Sequence, residues 1–195
     1  LVAFRPWGYY IPAMLTCGMD ECGRGSLAGP LVAAAVVLVR PIRFLRDSKK
    51  LTPKKRARIY KRIIKSGAVV VMGEISARQI NSRGMGWANK EIFKRLARKI
   101  PADKYIADGN LKLGKKIKSV VKADMKIPEV MAASIIAKVW RDKHMIRLHD
   151  EHQIYGWRSN KGYGTKYHIA AIREHGVTKY HRKKFVETAL KLPHP

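Results

Sequence analysis

Acidic residues are scarce in this sequence. It contains 14 Asp and Glu against 41 Lys and Arg, which gives a formal net charge of +27. A charge of this size destabilises the compact state by self-repulsion unless an acidic partner balances it. Nucleic acid is the partner that the composition favours, because phosphates reward Lys and Arg through the release of counterions. Charge alone leaves open whether the chain is an enzyme or a basic binding protein of the ribosomal kind.

Cysteine and long apolar runs are also rare. Cys17 and Cys22 form neither a disulfide framework nor a CxxC pair, which predicts a reduced, cytoplasmic protein. The longest apolar run, from Leu31 to Val39, is too short to span a bilayer. Residues 1–13 differ in character from the rest of the chain. One hypothesis is that Met14 is the natural start and that residues 1–13 are an extension.

Repeats and low-complexity linkers are missing as well, so residues 14–195 are expected to form a single domain. Apolar residues make up 46% of the chain, which is enough for a real core. Their periodicity and the turn signals predict an α/β fold with a mixed sheet flanked by helices and a helical C-terminal part. Strands are predicted over 14–19, 31–39, 68–75, 105–108 and 117–123, and helices over 52–66, 87–99, 128–151, 165–175 and 182–191.

Four of the few acids lie at predicted strand ends or beside glycines, on three separate segments: Asp20, Glu21, Asp108 and Asp124. Catalytic groups of α/β folds gather where strand ends converge. Carboxylates suit hard divalent cations such as Mg²⁺, and two ions roughly 3.5–4 Å apart can hold both oxygens of a phosphoryl displacement. Taken singly, each acid is better explained as a structural residue such as a turn former or a helix cap, so spacing alone does not identify a site.

Six motifs in a fixed order make the site interpretation specific. They are GMDECGRGSLAGP from Gly18 to Pro30, DSKKLT from Asp47 to Thr52, Asp108-Gly109, KAD from Lys122 to Asp124 with AASIIAKVWRD from Ala132 to Asp142, KGYGTKYH from Lys161 to His168, and HRKKF from His181 to Phe185. In this order they resemble the motifs of bacterial-type type 2 ribonuclease H (RNase HII), above all its DEAGRG…AGP signature. The resemblance covers about residues 14 to 187.

The resemblance implies the ribonuclease H fold and a tetrad that is both catalytic and metal-binding, formed by Asp20, Glu21, Asp108 and Asp124. It implies two Mg²⁺ or Mn²⁺ ions and hydrolysis of the RNA strand of RNA–DNA hybrids, leaving a 3′-hydroxyl and a 5′-phosphate. Members of the family also cut 5′ of single ribonucleotides embedded in DNA, and so serve ribonucleotide excision and DNA replication and repair.

The resemblance also implies a set of substrate-binding residues: Gly23, Arg24, Gly25, Lys49, Tyr163 and Lys166. The Gly-Arg-Gly segment would read the 2′-hydroxyl, which distinguishes RNA from DNA, through closely approaching main chain. Tyr163 would pack on the deoxyribose after the ribonucleotide, and the two lysines would hold phosphates. The alternatives are a half-buried core tyrosine at 163 and a solvated surface charge at Lys49.

Three positions depart from the family pattern: Cys22 stands for Ala, Ser26 for Pro and Ala123 for Gly. Cys22 is interpreted as a packing residue, although a thiol next to Glu21 could also make activity sensitive to oxidants.

Several polar residues outside the motifs are given structural interpretations. His149 and His152 are interpreted as members of a surface helix rather than zinc ligands. Asp142 is interpreted as one half of a structural ion pair. The basic run from Lys54 to Arg58 is expected to be a helix face that is either solvated or in contact with phosphate.

Two other classes compete with the type 2 enzyme. A non-catalytic nucleic-acid-binding protein fits the charge and size but gains nothing from carboxylates beside the ligand. A type 3 ribonuclease H or another nuclease of the same fold fits the acids, but the type 3 enzymes carry an additional N-terminal domain and lack the Gly-Arg-Gly and tyrosine pairing. The chain is expected to be a monomer that binds an RNA–DNA hybrid or ribonucleotide-containing duplex, without a membrane or an obligate protein partner.

Overall fold

A computed structural model describes residues 14–42, 45 and 51–191, and its centre is a mixed five-stranded sheet. The strands are β1 Thr16–Cys22, β2 Leu31–Val37, β3 Val69–Ile75, β4 Lys104–Asp108 and β5 Ile117–Val120, in the spatial order β3-β2-β1-β4-β5. The helices are α1 Pro53–Lys65, α2 Ala77–Arg83, α3 Met85–Lys99, α4 Pro128–Glu151, α5 Trp157–Asn160, α6 Lys166–His175 and α7 Lys183–Lys191. The predicted α/β fold class is confirmed. The proposed extension 1–13 and Lys49 lie outside the described residues.

Strand direction places the ends of β1 and β4 at one edge of the sheet. β1 pairs antiparallel with β2 and parallel with β4, and β4 pairs parallel with β5. Met19 is paired with Ala107, so the residue that follows each of them, Asp20 and Asp108, lies in adjacent strands. The sheet thus brings together two acids that are far apart in the sequence.

The strand β2 explains the long apolar run of the sequence, because both of its faces are covered. Alternate residues pack against α3 on one side: Leu31, Ala33, Ala35 and Val37. The residues between them pack against α1 and α4 on the other side: Val32, Ala34 and Val36. The sequence of a strand that is buried on both faces is continuously apolar and does not alternate between polar and apolar residues.

A glycine on β1 sets the distance between the sheet and α4. A Cβ added to Gly18 would lie 2.2 Å from both the carbonyl carbon of Glu129 and the nitrogen of Val130, in the first turn of α4. Any side chain at this position would push the helix away from the strand that carries Asp20 and Glu21. The close approach of α4 to this strand therefore depends on the absence of a side chain at Gly18.

The short helix α5 was not predicted, and the bounds of β1 and β2 differ from the predicted ones by up to three residues. Three other details of the fold also differ from the predictions. The strand predicted to reach Ala123 ends at Val120, because Lys122 adopts a left-handed conformation (φ 56°) that starts a short 3₁₀ turn, Ala123–Met125. Asp124 therefore lies in that turn and not at a strand end. Helix α2 was missed, although Ser76 and Gln79 form a complete capping box.

The third difference concerns His152. It follows α4 instead of belonging to it, and its ring packs edge-on against Trp157 and Tyr180. In the part of the chain that the structure describes, every helix is too short or too polar to cross a membrane.

The close contact at Gly18 predicts that Gly18→Ala destabilises the fold by about 1–3 kcal/mol, because backbone rather than a flexible side chain has to move. Denaturant-induced unfolding measures the difference. Gly86→Ala is the matched control, since nothing lies within 4 Å of the added methyl group and the site is an exposed helix position. That control should be neutral or slightly stabilising. Equal stability of Gly18→Ala and the wild type would contradict the account.

Candidate metal and nucleic-acid site

The four acids of interest converge at the edge of the sheet where β1 and β4 end. Asp20 is 7% exposed and Asp124 is 1% exposed. The backbone N–H of Asp124 donates to Oδ1 of Asp108 at 3.4 Å, which ties the 3₁₀ turn to the end of β4. The backbone N–H of Glu21 donates to Oδ1 of Asp20 at 2.8 Å. Three separate segments of the chain thus meet here, as the sequence predicted.

The carboxylates disfavour each other's charge. Burial raises the pKa of Asp20 well above its usual value, and the charges of Glu21 and Asp108 raise it further. Hydrogen bonds from Ser134 on α4 and from the Glu21 backbone oppose this rise. Burial also raises the pKa of Glu21, while the Arg24 guanidinium, 3.9 Å away, lowers it. A cation bound between these carboxylates would lower their pKa values and stabilise their charged forms.

The donor set fits a hard divalent cation. Among the described residues, Oε2 of Glu21 is buried without a hydrogen-bond partner. Crowded carboxylate oxygens of this kind are the ligands that Mg²⁺ and Mn²⁺ take. Within residues 14–42, 45 and 51–191, however, no three or more Asp, Glu, His and Cys side chains are arranged as a ready-made metal site. The acids would have to close around an ion rather than receive it in place.

Beside the acids runs the loop 23–30, whose main chain is held by a buried arginine from the C-terminal part of the chain. Arg182 is 0% exposed. Its Nη1 donates to the carbonyls of Gly23 at 2.7 Å and Arg24 at 3.0 Å, and its Nε donates to that of Gly29 at 3.0 Å. Burial, followed by the nearby Arg141 charge, lowers the pKa of Arg182 to about 9.

A second buried arginine, Arg141 on α4, donates further hydrogen bonds to the same loop. Its Nε donates to the Pro30 carbonyl at 3.1 Å, and its Nη2 donates to Oγ of Ser26 at 2.7 Å and to the Ala28 carbonyl at 3.0 Å. Ser26 in turn donates to the Gly23 carbonyl at 2.9 Å. The serine that replaces the family's proline is thus an added link between Arg141 and the Gly-Arg-Gly segment.

The conformation of the loop 23–30 leaves its outer surface open. Gly23 has a φ of 89°, and a Cβ there would lie 2.0 Å from Nε of Arg141. No atom lies within 4 Å of a Cβ added at Gly25. The side chain of Arg24 is 62% exposed. Gly23 is buried, whereas Arg24 and Gly25 are exposed. Arg24 and Gly25 therefore present main chain and one cation to solvent close to Glu21.

The loop that carries Tyr163 is joined to the loop 23–30. The N–H groups of Leu27 and Ala28 both donate to the Gly162 carbonyl, at 2.8 and 3.1 Å. The Tyr163 ring is 36% exposed and lies 5.4 Å from the Arg141 guanidinium. Burial of the remaining part raises the pKa of the Tyr163 hydroxyl, so the residue is partly buried with one part open to solvent.

The backbone of Tyr163 is fixed by a pair of buried histidines. Nδ1 of His168 lies 2.9 Å from the Tyr163 carbonyl, and its Nε2 is 3.2 Å from Nε2 of His181. Burial lowers the pKa of both rings, that of His181 to about 4. Both histidines are therefore neutral near pH 7. Lys166, the remaining candidate in this segment, is exposed at the first position of α6.

Several supporting residues, three of them inside the quoted motifs, were given no role from the sequence: Ser134, Arg141, Arg182 and Asn89. The burial of Arg141 could have been predicted, because it occupies the apolar stripe of α4, four residues after Ala137 and four before Met145.

The structural interpretation of Asp142 is confirmed by its contacts with Lys138 at 2.7 Å and Arg56 at 3.9 Å. Burial raises the pKa of the Cys22 thiol, which disfavours the thiolate that oxidants attack.

The sequence is similar to ribonucleases HII over nearly its whole length. The family model described as Ribonuclease HII matches residues 17–188. The Ribonuclease HII of Pelagibacter ubique (strain HTCC1062) is 45% identical over 179 residues, which cover 88% of this chain and 95% of that one. The Ribonuclease HII of Sulfurovum sp. (strain NBC37-1) is 41% identical over 170 residues, covering 87% and 90%.

The fold is similar to solved ribonuclease H structures. The PCNA:RNase HII complex from Archaeoglobus fulgidus contains a chain that matches with a TM-score of 0.81 and 25% identity, covering 93% of this chain and 98% of that one. The ribonuclease H2 of Pyrococcus horikoshii OT3 matches with a TM-score of 0.73 and 26% identity, covering 92% and 100%. Bst-RNase HIII in complex with Mn²⁺ matches at 0.70 with 22% identity, which shows a shared fold.

The role of Arg182 predicts that Arg182→Met destabilises the protein by on the order of 2–4 kcal/mol, because several loop carbonyls lose their donor. Thermal or denaturant unfolding measures the loss, and hydrogen exchange should report faster opening of the amides of residues 23–30. Arg158→Met is the control, because its ion pair with Asp150 is more than half exposed and such pairs contribute little. Similar losses in the two variants would argue against a special role for Arg182.

The crowding at Asp20 predicts that Asp20→Asn is more stable than the wild type at pH 7 without divalent ions. The folded state holds the Asp20 proton more tightly than the unfolded chain, so the wild type loses stability as pH rises above the ordinary value of 3.8. Each kcal/mol gained should raise the melting temperature by about 2–4 °C. The advantage should shrink as pH falls from 7 towards 5. A variant that melts lower at pH 7 would refute this account of the acids.

Proposed function

Because the chain belongs to the ribonuclease HII family and is an endoribonuclease of the ribonuclease H type, we propose that it hydrolyses the RNA strand of RNA–DNA hybrids with two divalent metal ions. The proposal includes cleavage on the 5′ side of single ribonucleotides in duplex DNA, leaving a 3′-hydroxyl and a 5′-phosphate. The observation that carries it is the gathering of four acids from three segments, with raised pKa values at Asp20 and Glu21, directly beside the Gly-Arg-Gly loop.

The acids would hold the ions, and no side chain needs to act as a covalent nucleophile. Asp20, Glu21, Asp108 and Asp124 supply carboxylate oxygens from three segments, as a bridged pair of ions requires. When bound, Mg²⁺ or Mn²⁺ ions can activate a water molecule and stabilise the leaving oxygen of the phosphodiester. Their charge would also offset the burial and the repulsion between carboxylates that raise the pKa of Asp20.

The loop 23–30 would recognise the ribonucleotide. A 2′-hydroxyl both donates and accepts hydrogen bonds, so main-chain N–H and C=O groups can read it when no side chain keeps them at a distance. Gly25 provides that access directly, the positive φ of the buried Gly23 shapes the loop that leads to it, and the exposed Arg24 can contact a neighbouring phosphate. Arg141 and Arg182 already use the inward-facing carbonyls of the loop, so its groups on the open side are the ones left for substrate.

Tyr163 and two lysines would hold the rest of the duplex. The partly exposed Tyr163 offers an aromatic surface next to the Gly-Arg-Gly loop, suited to a deoxyribose that lacks the 2′-hydroxyl. Lys166 and Lys49 would contact phosphates.

We place the protein in the cytoplasm, because Cys17 and Cys22 are both free thiols. We assign it to ribonucleotide excision and to DNA replication and repair, because its proposed substrates arise on DNA. We also propose that it acts as a monomer, since copies of this charge repel each other.

A single assay tests the reaction. A labelled DNA duplex that contains one ribonucleotide is incubated with wild type and with Asp124→Asn, in Mg²⁺, in Mn²⁺ or in EDTA. We expect metal-dependent cutting 5′ of the ribonucleotide, reduced roughly 100-fold or more in the variant, because one charge that holds the ions is removed. Glu151→Gln is the control, an exposed acid at the end of α4 that should leave the rate unchanged.

The other outcomes of this assay separate the parts of the proposal. Cutting of longer RNA tracts only would remove the junction-reading role of Gly23, Arg24, Gly25 and Tyr163. Tight duplex binding without any cutting would favour a nucleic-acid-binding protein.

A further inference from the structure

Asn89 is a buried side chain with unused hydrogen-bonding groups. It lies on α3 and is 2% exposed, between residues of the apolar cluster such as Ala88, Ile92 and Phe93. Neither its Nδ2 nor its Oδ1 has a hydrogen-bond partner among the described residues. A buried polar group that is left unpaired destabilises the folded state, and an apolar side chain of the same shape would avoid that cost. An amide at this place therefore weakens the fold unless something in the working protein uses it.

The sheet directs one of the four acids towards α3. Glu21 is paired with Ala33 on β2, and Ala33 is paired with Gly73 on β3, so these three residues form one row across the sheet. Ala33 packs in the cluster that contains α3, and a Cβ on Gly73 would lie 3.4 Å from Leu96 of α3. Small residues in this row let α3 approach closely, and Glu21 projects from the same face of the sheet.

Glu21 and Asn89 are therefore neighbours that each lack a partner. Oε2 of Glu21 is buried without a hydrogen bond, like both amide atoms of Asn89. The amide is close enough to Glu21 to oppose the rise in the pKa of its carboxyl group, yet the two side chains make no hydrogen bond of normal geometry. Hydrogen bonds of catalytic groups are often long until the ligand is bound and then tighten. A small rotation of either side chain would let Nδ2 of Asn89 donate to Oε2 of Glu21.

We propose that Asn89 is a positioning residue of the metal site, which donates from Nδ2 to one carboxylate oxygen of Glu21 and so directs the other oxygen to the ion. The inference rests on the proposed function, because it requires that Glu21 holds a divalent cation. Asn89 itself does not touch the substrate. Side chains that orient a metal ligand in this way typically contribute 10–100-fold to metal affinity, which is roughly the effect expected here.

The test uses Asn89→Leu, which keeps the size of the side chain and removes both polar atoms. Mn²⁺ binding to the full chain without nucleic acid is measured by calorimetry, or by the electron paramagnetic resonance signal of free Mn²⁺. We expect roughly 10–100-fold weaker binding in the variant. We also expect that its melting temperature without metal equals or exceeds that of the wild type. A residue that only packs would give the opposite pattern, with unchanged affinity and reduced stability.

Asn81→Leu is the matched control. Nδ2 of Asn81 donates to the His181 carbonyl at 2.9 Å, and its Oδ1 accepts from the N–H of Lys183 at 2.9 Å. Both ends of this amide are paired with main-chain groups, so its loss should lower the melting temperature and leave Mn²⁺ affinity unchanged. The two asparagines thus predict opposite results in the same pair of measurements.

A double-mutant cycle shows whether Asn89 acts through Glu21. In a Glu21→Gln background, the further change to Leu at 89 should alter Mn²⁺ affinity by less than about twofold, because the carboxylate to be oriented is gone. The proposal is overturned if Asn89→Leu binds Mn²⁺ within about twofold of the wild type, or if its full effect persists in that background. A wild type that binds no Mn²⁺ would instead refute the metal-dependent mechanism, and the role of Asn89 with it.

Discussion

Two buried guanidinium groups give the site its shape. Arg141 and Arg182 come from α4 and from the C-terminal part of the chain, and they bind the carbonyls of the loop 23–30 from its inner side. Among the described residues, neither arginine has a carboxylate partner in a salt bridge, so their charges are stabilised by carbonyl dipoles and one hydroxyl. Residues 159 positions apart in the sequence are thus joined in one network, and the open face of the loop depends on it.

The site consequently separates charges of opposite sign on the two sides of a short stretch of main chain. Asp20 and Glu21 crowd negative charge at the end of β1, and the two arginines hold positive charge beneath the loop 23–30. Both groups lose hydration on burial, which shifts the pKa of the acids upwards and that of Arg182 downwards. The arrangement is less stable than a neutral core of equal size would be, and it is suited to binding cations and phosphates next to each other.

The sequence was informative where local signals decide the structure. The bounds of α4 were predicted correctly, because a proline starts the helix and its apolar positions recur over many turns. Capping threonines marked the starts of α1 and α6, and a family motif identified the acids and the Gly-Arg-Gly segment. Periodicity alone placed Asp124 at a strand end, and it was wrong because Lys122 turns the chain early. The role of Arg141 was missed although the residue continues the apolar stripe of α4. The roles of Asn89 and Arg182 were not predicted, because whether a polar side chain is buried depends on partners that are distant in the sequence.

The adjacent residues Asp20 and Glu21 belong to different layers of the molecule. Consecutive residues of a strand project to opposite faces, and here Asp20 interacts with Ser134 of α4 while Glu21 faces α3. The separation of the two carboxylates is therefore set by how both helices sit on the sheet. A core substitution that slides either helix by a fraction of an ångström would alter that separation while the protein remains folded. Repacking under α3 or α4 should accordingly change metal affinity and cleavage rate before it changes the unfolding temperature.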